Sequence, residues 1–126
     1  MTAGFSTARA NSMLNVLRNT SYTGIATPFI KLHTGDPGSA GTANASAVTT
    51  RNAIAWNAAA AGSMTLATLG NYAMTASETI THVSTWDAST AGNFIESWVL
   101  SAGVAVVNGS TLTFNTFTLS FTPIAA

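Results

Sequence analysis

The sequence predicts a mainly β fold: a single antiparallel β-sandwich, jelly-roll-like, with one short N-terminal α-helix. Three observations predict it. Helical periodicity is confined to the segment before Tyr22. Beyond it, Thr, Val, Ile and aromatic residues alternate with small or polar ones over short runs. Turn residues separate these runs at intervals of roughly 8 to 12 residues, a spacing that builds sandwiches and barrels rather than βαβ units. At 126 residues the chain is expected to form one domain, with the helix over about 7–19 and the sandwich over about 23–126.

The helix is expected over Thr7–Asn19. Ser6 or Thr7 can cap it, because a hydroxyl accepts the free N–H groups of a first turn. Ala10, Met13, Leu14 and Leu17 follow the i, i+3, i+4, i+7 rule and form one apolar stripe. Arg18 complements the negative end of the helix, and Asn19 to Ser21 stop it.

Phe29–His33 is the first candidate strand, and Ala53–Asn57 the second, with Ile54 and Trp56 on one face. Ala58–Gly62 is a small-residue turn. Met64 and Leu66 continue the alternation, with Tyr72 and Met74 as an extension. Thr79–Trp86 is strongly β-branched. Simple alternation places Ile80, His82, Ser84 and Trp86 on one face, and Thr79, Thr81, Val83 and Thr85 on the other. Asn93–Leu100 likewise divides into Phe94, Glu96, Trp98 and Leu100 against Ile95, Ser97 and Val99. Val104–Val107 and Thr111–Thr122 are the last runs. Asn108-Gly109 between them is a hairpin signal, since both turn residues tolerate positive φ. The apolar phase slips at Asn115-Thr116, which marks a bulge or a turn. The expected core is Leu14, Leu17, Ile30, Leu32, Ile54, Trp56, Ile80, Trp86, Phe94, Trp98, Leu112 and Phe114.

Segment 35–50 differs from the rest. It holds small and polar residues with no core period, and reads as a long loop or as an arm that drapes over a neighbouring subunit.

Charge is scarce. Asp, Glu, Lys and Arg make up 6% of the chain, against roughly 25% in an ordinary soluble domain. The eight formal charges are Arg9, Arg18, Lys31, Arg51, Asp36, Glu78, Asp87 and Glu96, and they sum to zero. Free soluble proteins resist association with mixed charge and a net value away from zero. A surface of Ala, Thr, Ser, Asn and Gly instead suits a protein packed against others. No basic patch offers a footprint for nucleic acid. No apolar run approaches the ~20 residues that span a bilayer, and no secretory leader is visible at the start of the sequence. Cysteine is absent, so there is no thiolate ligand or thiol nucleophile.

Candidate chemistry is weak. His33 and Asp36 could form an acid–base pair, but Gly35-Asp36-Pro37-Gly38 is turn chemistry, with His33 ending the strand. His82 and Asp87, with a nearby Ser, suggest a hydrolase triad, yet no G-x-S-x-G elbow accompanies them. Asp87 reads as the residue that caps the turn after Trp86. Asp36 or Asp87 with loop carbonyls could hold calcium, although no ligand-spaced cluster exists. The three Trp residues could stack on a glycan, but alternating strand positions favour the core. No catalytic, cofactor-binding or metal-binding residue is therefore assigned.

Leu32-His33-Thr34-Gly35-Asp36-Pro37-Gly38 with Gly41-Thr42, Arg51-Asn52-Ala53-Ile54-Ala55-Trp56, Thr81-His82-Val83-Ser84-Thr85-Trp86-Asp87-Ala88 and Thr111-Leu112-Thr113-Phe114 resemble a family of small structural proteins of tailed bacteriophages. Its members are loosely labelled tail fibre, minor structural or decoration proteins. The resemblance spans nearly the whole chain and implies a virion component, made in the host cytoplasm, without enzyme activity. Size, the segment 35–50 and the neutral surface point to capsid decoration. In that reading a homotrimer clamps major capsid protein subunits, without nucleic-acid or membrane partners. A tail-tip or fibre-associated protein is the alternative, and a glycan-binding module a third. Shaft repeats and heptads, usual in fibre proteins, are missing.

Overall fold

A computed structural model describes residues 3–121. Thr122, the end of the last expected run, lies outside the described residues.

The chain is mainly β, with one short helix. Helix α1 covers Thr7–Asn15 and tightens into a 3-10 turn over Val16–Arg18. Ser6 is the cap: its backbone is extended and its hydroxyl accepts from the Arg9 N–H at 3.2 Å. Asn19 ends the helix in the left-handed region at φ 60°, which a short polar side chain tolerates better than most.

Among the described residues eight strands follow: β1 Phe29–His33, β2 Asn52–Trp56, β3 Ser63–Leu69, β4 Tyr72–Ala73, β5 Glu78–Trp86, β6 Phe94–Val106, β7 Thr111–Leu112 and β8 Thr118–Ser120. Six form one antiparallel sheet in the order β6-β5-β1-β2-β3-β8, curled as a half-barrel, and β4 pairs with β7 in a second, small sheet. The layers are thus unequal. Ala61 and Gly62 both have positive φ and join β2 to β3 as a two-residue turn closed by Ala60 and Ser63, the primed geometry that fits strand twist.

Two strand breaks redistribute the expected faces. Leu32 pairs with Val83, and Ile30 with Thr85; Lys31 pairs with Ser84, and His33 with His82. Val83 and Thr85 therefore share the core face with Ile30 and Leu32, while His82 and Ser84 lie on the opposite, outer face with Lys31 and His33. Yet Ile80 is also core. The phase of β5 reverses between Thr81 and His82, where the pairing with β6 is irregular. The Thr81 hydroxyl lies 2.8 Å from His82 Nδ1, although neighbours on a regular strand point to opposite faces. This corrects the expected single row Ile80, His82, Ser84, Trp86. A second irregularity, where Thr85 pairs with Glu96 and Trp86 with Phe94, splits the expected row Phe94, Glu96, Trp98. Phe94 goes to the outer face, and Glu96 stays with Trp98 on the inner one.

The core contains Ile30, Leu32, Val48, Ile54, Tyr72, Met74, Ile80, Val83, Val106 and Leu112, with Trp56, Trp98 and Phe114 packed against it. The Tyr72 hydroxyl donates to the Ile30 carbonyl at 2.7 Å and ties the small sheet to the large one. Trp56, Trp98 and Phe117 form an aromatic cluster with centroids 5.0–6.0 Å apart. Leu14 and Leu17 are not core: they are 62% and 86% exposed, and α1 buries no residue. An amphipathic period shows that a helix can bury a face, not that its own chain covers it.

The expected hairpin at Asn108-Gly109 is a turn, but not between paired neighbours. Gly109 alone has positive φ, the pattern of a type II rather than a primed turn, and β7 leaves β6 to pair with β4. The slip at Asn115-Thr116 is the passage from β7 to β8. Segment 35–50 is a loop seated on its own sheet. Thr34 N–H bonds the Asn44 carbonyl, Ser46 N–H bonds the Leu32 carbonyl, and Val48 enters the core. The Ser46 hydroxyl also bonds the Glu78 carboxylate. Backbone bonds hold the loop, so no side-chain period was needed.

Candidate functional site

The outer face of β1 and β5 gathers most of the residues singled out in the sequence. His33 does more than end its strand. It is fully buried, with Nδ1 2.8 Å from the Ala43 carbonyl and Nε2 2.7 Å from Ser84 Oγ. A carbonyl only accepts, so Nδ1 carries the proton and Nε2 accepts from the Ser84 hydroxyl. Ser84 Oγ in turn accepts from Trp86 Nε1–H at 2.8 Å. The result is a directed chain, Trp86 to Ser84 to His33 to Ala43, that pins the 35–50 loop to β5. Burial holds the His33 imidazole below its usual pKa, and Lys31 and His82 add repulsion to its charged form. A serine beside a histidine resembles a nucleophile and its base. Here both are buried with no exposure, and the histidine's second nitrogen is bonded to backbone rather than to a carboxylate.

Asp36 is not the partner of His33. Its Oδ1 accepts from the Gly38 N–H at 2.8 Å, the turn role the sequence indicates. Asp87 closes the β5–β6 turn, with Oδ1 accepting from Asn93 N–H at 2.6 Å and Oδ2 from Asn93 Nδ2 at 2.8 Å. These bonds hold the Asp87 carboxyl below its ordinary range. Among the described residues, no group of three or more His, Asp or Glu side chains could hold a metal ion. Among the described residues no helix is long and apolar enough to cross a membrane.

Trp86 is buried, as the sequence led one to expect, beneath Arg51, which lines a surface cleft. The Arg51 guanidinium lies 3.8 Å from its ring centre, the arrangement in which a cation meets the negative face of an indole. Arg51 NH1 also donates to the carbonyls of Ala88 and Ala91, at 3.1 and 2.6 Å. Lys31, Thr49, Thr50, Ser89, Thr90 and Ala91 complete the lining. Sequence reading missed this cleft, because its residues come from three separate segments. The other two tryptophans, Trp56 and Trp98, are on the inner side against Phe117.

Glu96 was not singled out by sequence. Its inward position buries it, and burial pushes its carboxyl above the usual range against the pull of Trp98 and Arg9. Along the same strand Ser6 N–H bonds the Ile95 carbonyl and Ser97 N–H the Gly4 carbonyl, at 2.7 and 2.8 Å. Residues 4–6 thereby cover one stretch of the β6 edge. Large apolar residues stay exposed: Leu14 on α1, Val16 and Leu17 in the 3-10 turn after it, and Val99, Val107 and Phe121 on the body.

The family described as podophage GP4 fiber I protein gp80 matches residues 4–122 of the chain. A comparison with curated proteins finds no match. The match takes in the helix, both sheets and the loops between them, and the chain belongs to this family of phage fibre proteins.

Proposed function

From membership in a fibre family, we propose that the chain is a non-enzymatic structural subunit of a tailed-phage virion. In this reading it sits in the fibre apparatus as a homo-oligomer, joined through the helix at its N-terminus. One observation carries the proposal: no residue of α1 is buried, and Leu14 on it and Leu17 in the 3-10 turn that follows stand 62% and 86% exposed. A short helix gains little stability in isolation, and contiguous exposed apolar residues on a soluble body mark contact sites. The neutral surface, with eight formal charges in all, supports close packing between copies. The burial of His33 and Ser84 supports the non-enzymatic part, since no substrate reaches them. Loop 35–50 is bonded to its own sheet, which lends the fibre reading more support than the decoration one.

Sedimentation of the purified chain and gold labelling of virions test the proposal together. The wild type should sediment as an oligomer, a trimer being the expected closed form, and label should fall on tails. Leu14→Ser with Leu17→Ser should give monomers with an unchanged melting temperature. A monomeric wild type would remove the helix interface. Label confined to heads would return the protein to decoration against the major capsid protein.

A further inference from the structure

We propose that the cleft between Lys31, Arg51 and the Ser89–Ala91 turn binds an oxyanion group displayed on a carbohydrate. The inference is independent of where the protein sits in the virion.

Two of the four cationic side chains of the whole chain meet here. Lys31 projects from the outer face of β1, and Arg51 stands at the entry to β2. Burial first, and then repulsion from Arg51, lowers the Lys31 pKa. A fold with so few charges would not gain stability from placing two of like sign side by side. Asp87 offsets part of the Arg51 charge, but it is held in its own turn by Asn93. Among the described residues no carboxylate is paired with Lys31. An oxyanion between the two cations would relieve their repulsion.

The rest of the cleft fits a sugar. It is an open cleft of about 540 Å³, shallow enough to receive a group displayed on a larger molecule. Thr49, Thr50, Ser89 and Thr90 line it with hydroxyls that both donate and accept. Arg51 is placed before any ligand arrives, by the Trp86 ring beneath it and by the two carbonyls that NH1 reaches. A pre-placed guanidinium loses little side-chain freedom on binding. Ala91, whose carbonyl takes one of those bonds, has φ 53°, a conformation costly for a residue with a Cβ. The turn is thus held in a strained form that keeps Ser89 and Thr90 at the cleft.

The oxyanion could be the carboxylate of a uronic acid or the phosphate ester of a phosphorylated sugar. The test is a titration of the ¹⁵N-labelled full chain with digalacturonate, with glucose 6-phosphate and with neutral maltose. At least one charged probe should shift the amides of Thr49, Thr50, Ser89 and Thr90, and maltose should not. Response to digalacturonate alone identifies a uronic acid; response to glucose 6-phosphate alone identifies a phosphorylated sugar. Response to both places the recognition in the charge. Lys31→Gln should weaken binding about fivefold, the value of one near charge in water, while Arg18→Gln on the distant helix should leave it unchanged. Arg51 also holds the turn, so the Lys31 variant is the deciding one. The proposal is overturned if neither charged probe shifts these amides, if maltose shifts them equally, or if Lys31→Gln binds like the parent.

Discussion

Gly41 and Phe94 meet with no room for a side chain between them. A Cβ built on Gly41 would lie 2.3 Å from Phe94 Cδ2, and Gly41 itself has φ +69°. The contact seats loop 35–50 on the ring that also faces Trp86, with centroids 5.7 Å apart. Gly41→Ala should therefore cost about 2–4 kcal/mol, combining the left-handed backbone penalty with overpacking. Urea unfolding reads the cost. An alanine variant as stable as the parent would show that the loop is not anchored there.

Acid should weaken the fold through His33. Its pKa is lowered in the folded state by burial, so the unfolded chain takes the proton first. The His33 contribution is present above the unfolded value of 6.5 and is lost as pH falls through the folded one. Urea midpoints should drop over that window. In His33→Asn, less stable at neutral pH, that part of the pH dependence should vanish. An equal pH slope in the two proteins would assign the effect elsewhere.

Glu96 should act in the opposite sense. Its folded pKa is raised by burial, so the unfolded chain loses the proton first as pH climbs past 4.5. Stability present at low pH is then lost as pH rises through the folded pKa. Glu96→Gln keeps the shape and removes the charge. It should be more stable than the parent at pH 7, with the advantage shrinking at pH 4. A variant weaker than the parent at both pH values would mean that Arg9 and Trp98 outweigh the burial.

Thr85 is an opportunity for stabilisation. It is buried on the core face, and its hydroxyl has no partner among the described residues. Burying an unpaired hydroxyl costs about 1–3 kcal/mol. Thr85→Val keeps the volume and should raise stability by about 1 kcal/mol in thermal or urea unfolding. A loss of stability would place an ordered water on that oxygen.

Much of the fold was legible where a local rule was enough. Phe29–His33 matched its strand residue for residue, because Ile30 and Leu32 alternate with half-buried neighbours. Asp36 closed its own turn, and Asn19 stopped the helix, since both acts involve residues a few positions away. The rest depended on distant partners. His33 is buried because Ser84, 51 residues on, satisfies its second nitrogen. Asn108-Gly109 fixes a turn but not which strand comes next. The stripe Leu14–Leu17 declares a face without naming its cover. The cleft around Arg51 needed the register of β1, β2 and β5 together. The reversal at Thr81-His82 carries no residue signal at all.

That reversal gives β5 slack. Ile80 points inward, Thr81 and His82 both outward, and Val83 inward again. The two steps from Ile80 to His82 face five on β6, from Val104 to Val99, so β6 carries the extra length where β5 turns two successive residues outward. Deleting Thr81 leaves the inward and outward sequence from Ile80 onward regular, whereas deleting Val83 would invert everything from the break to the β1 contact. The near-ultraviolet signal of Trp86 would survive the first change and collapse after the second. The Thr81-His82 step works as an expansion joint, and the Trp86 end of the strand is spared what happens at the other.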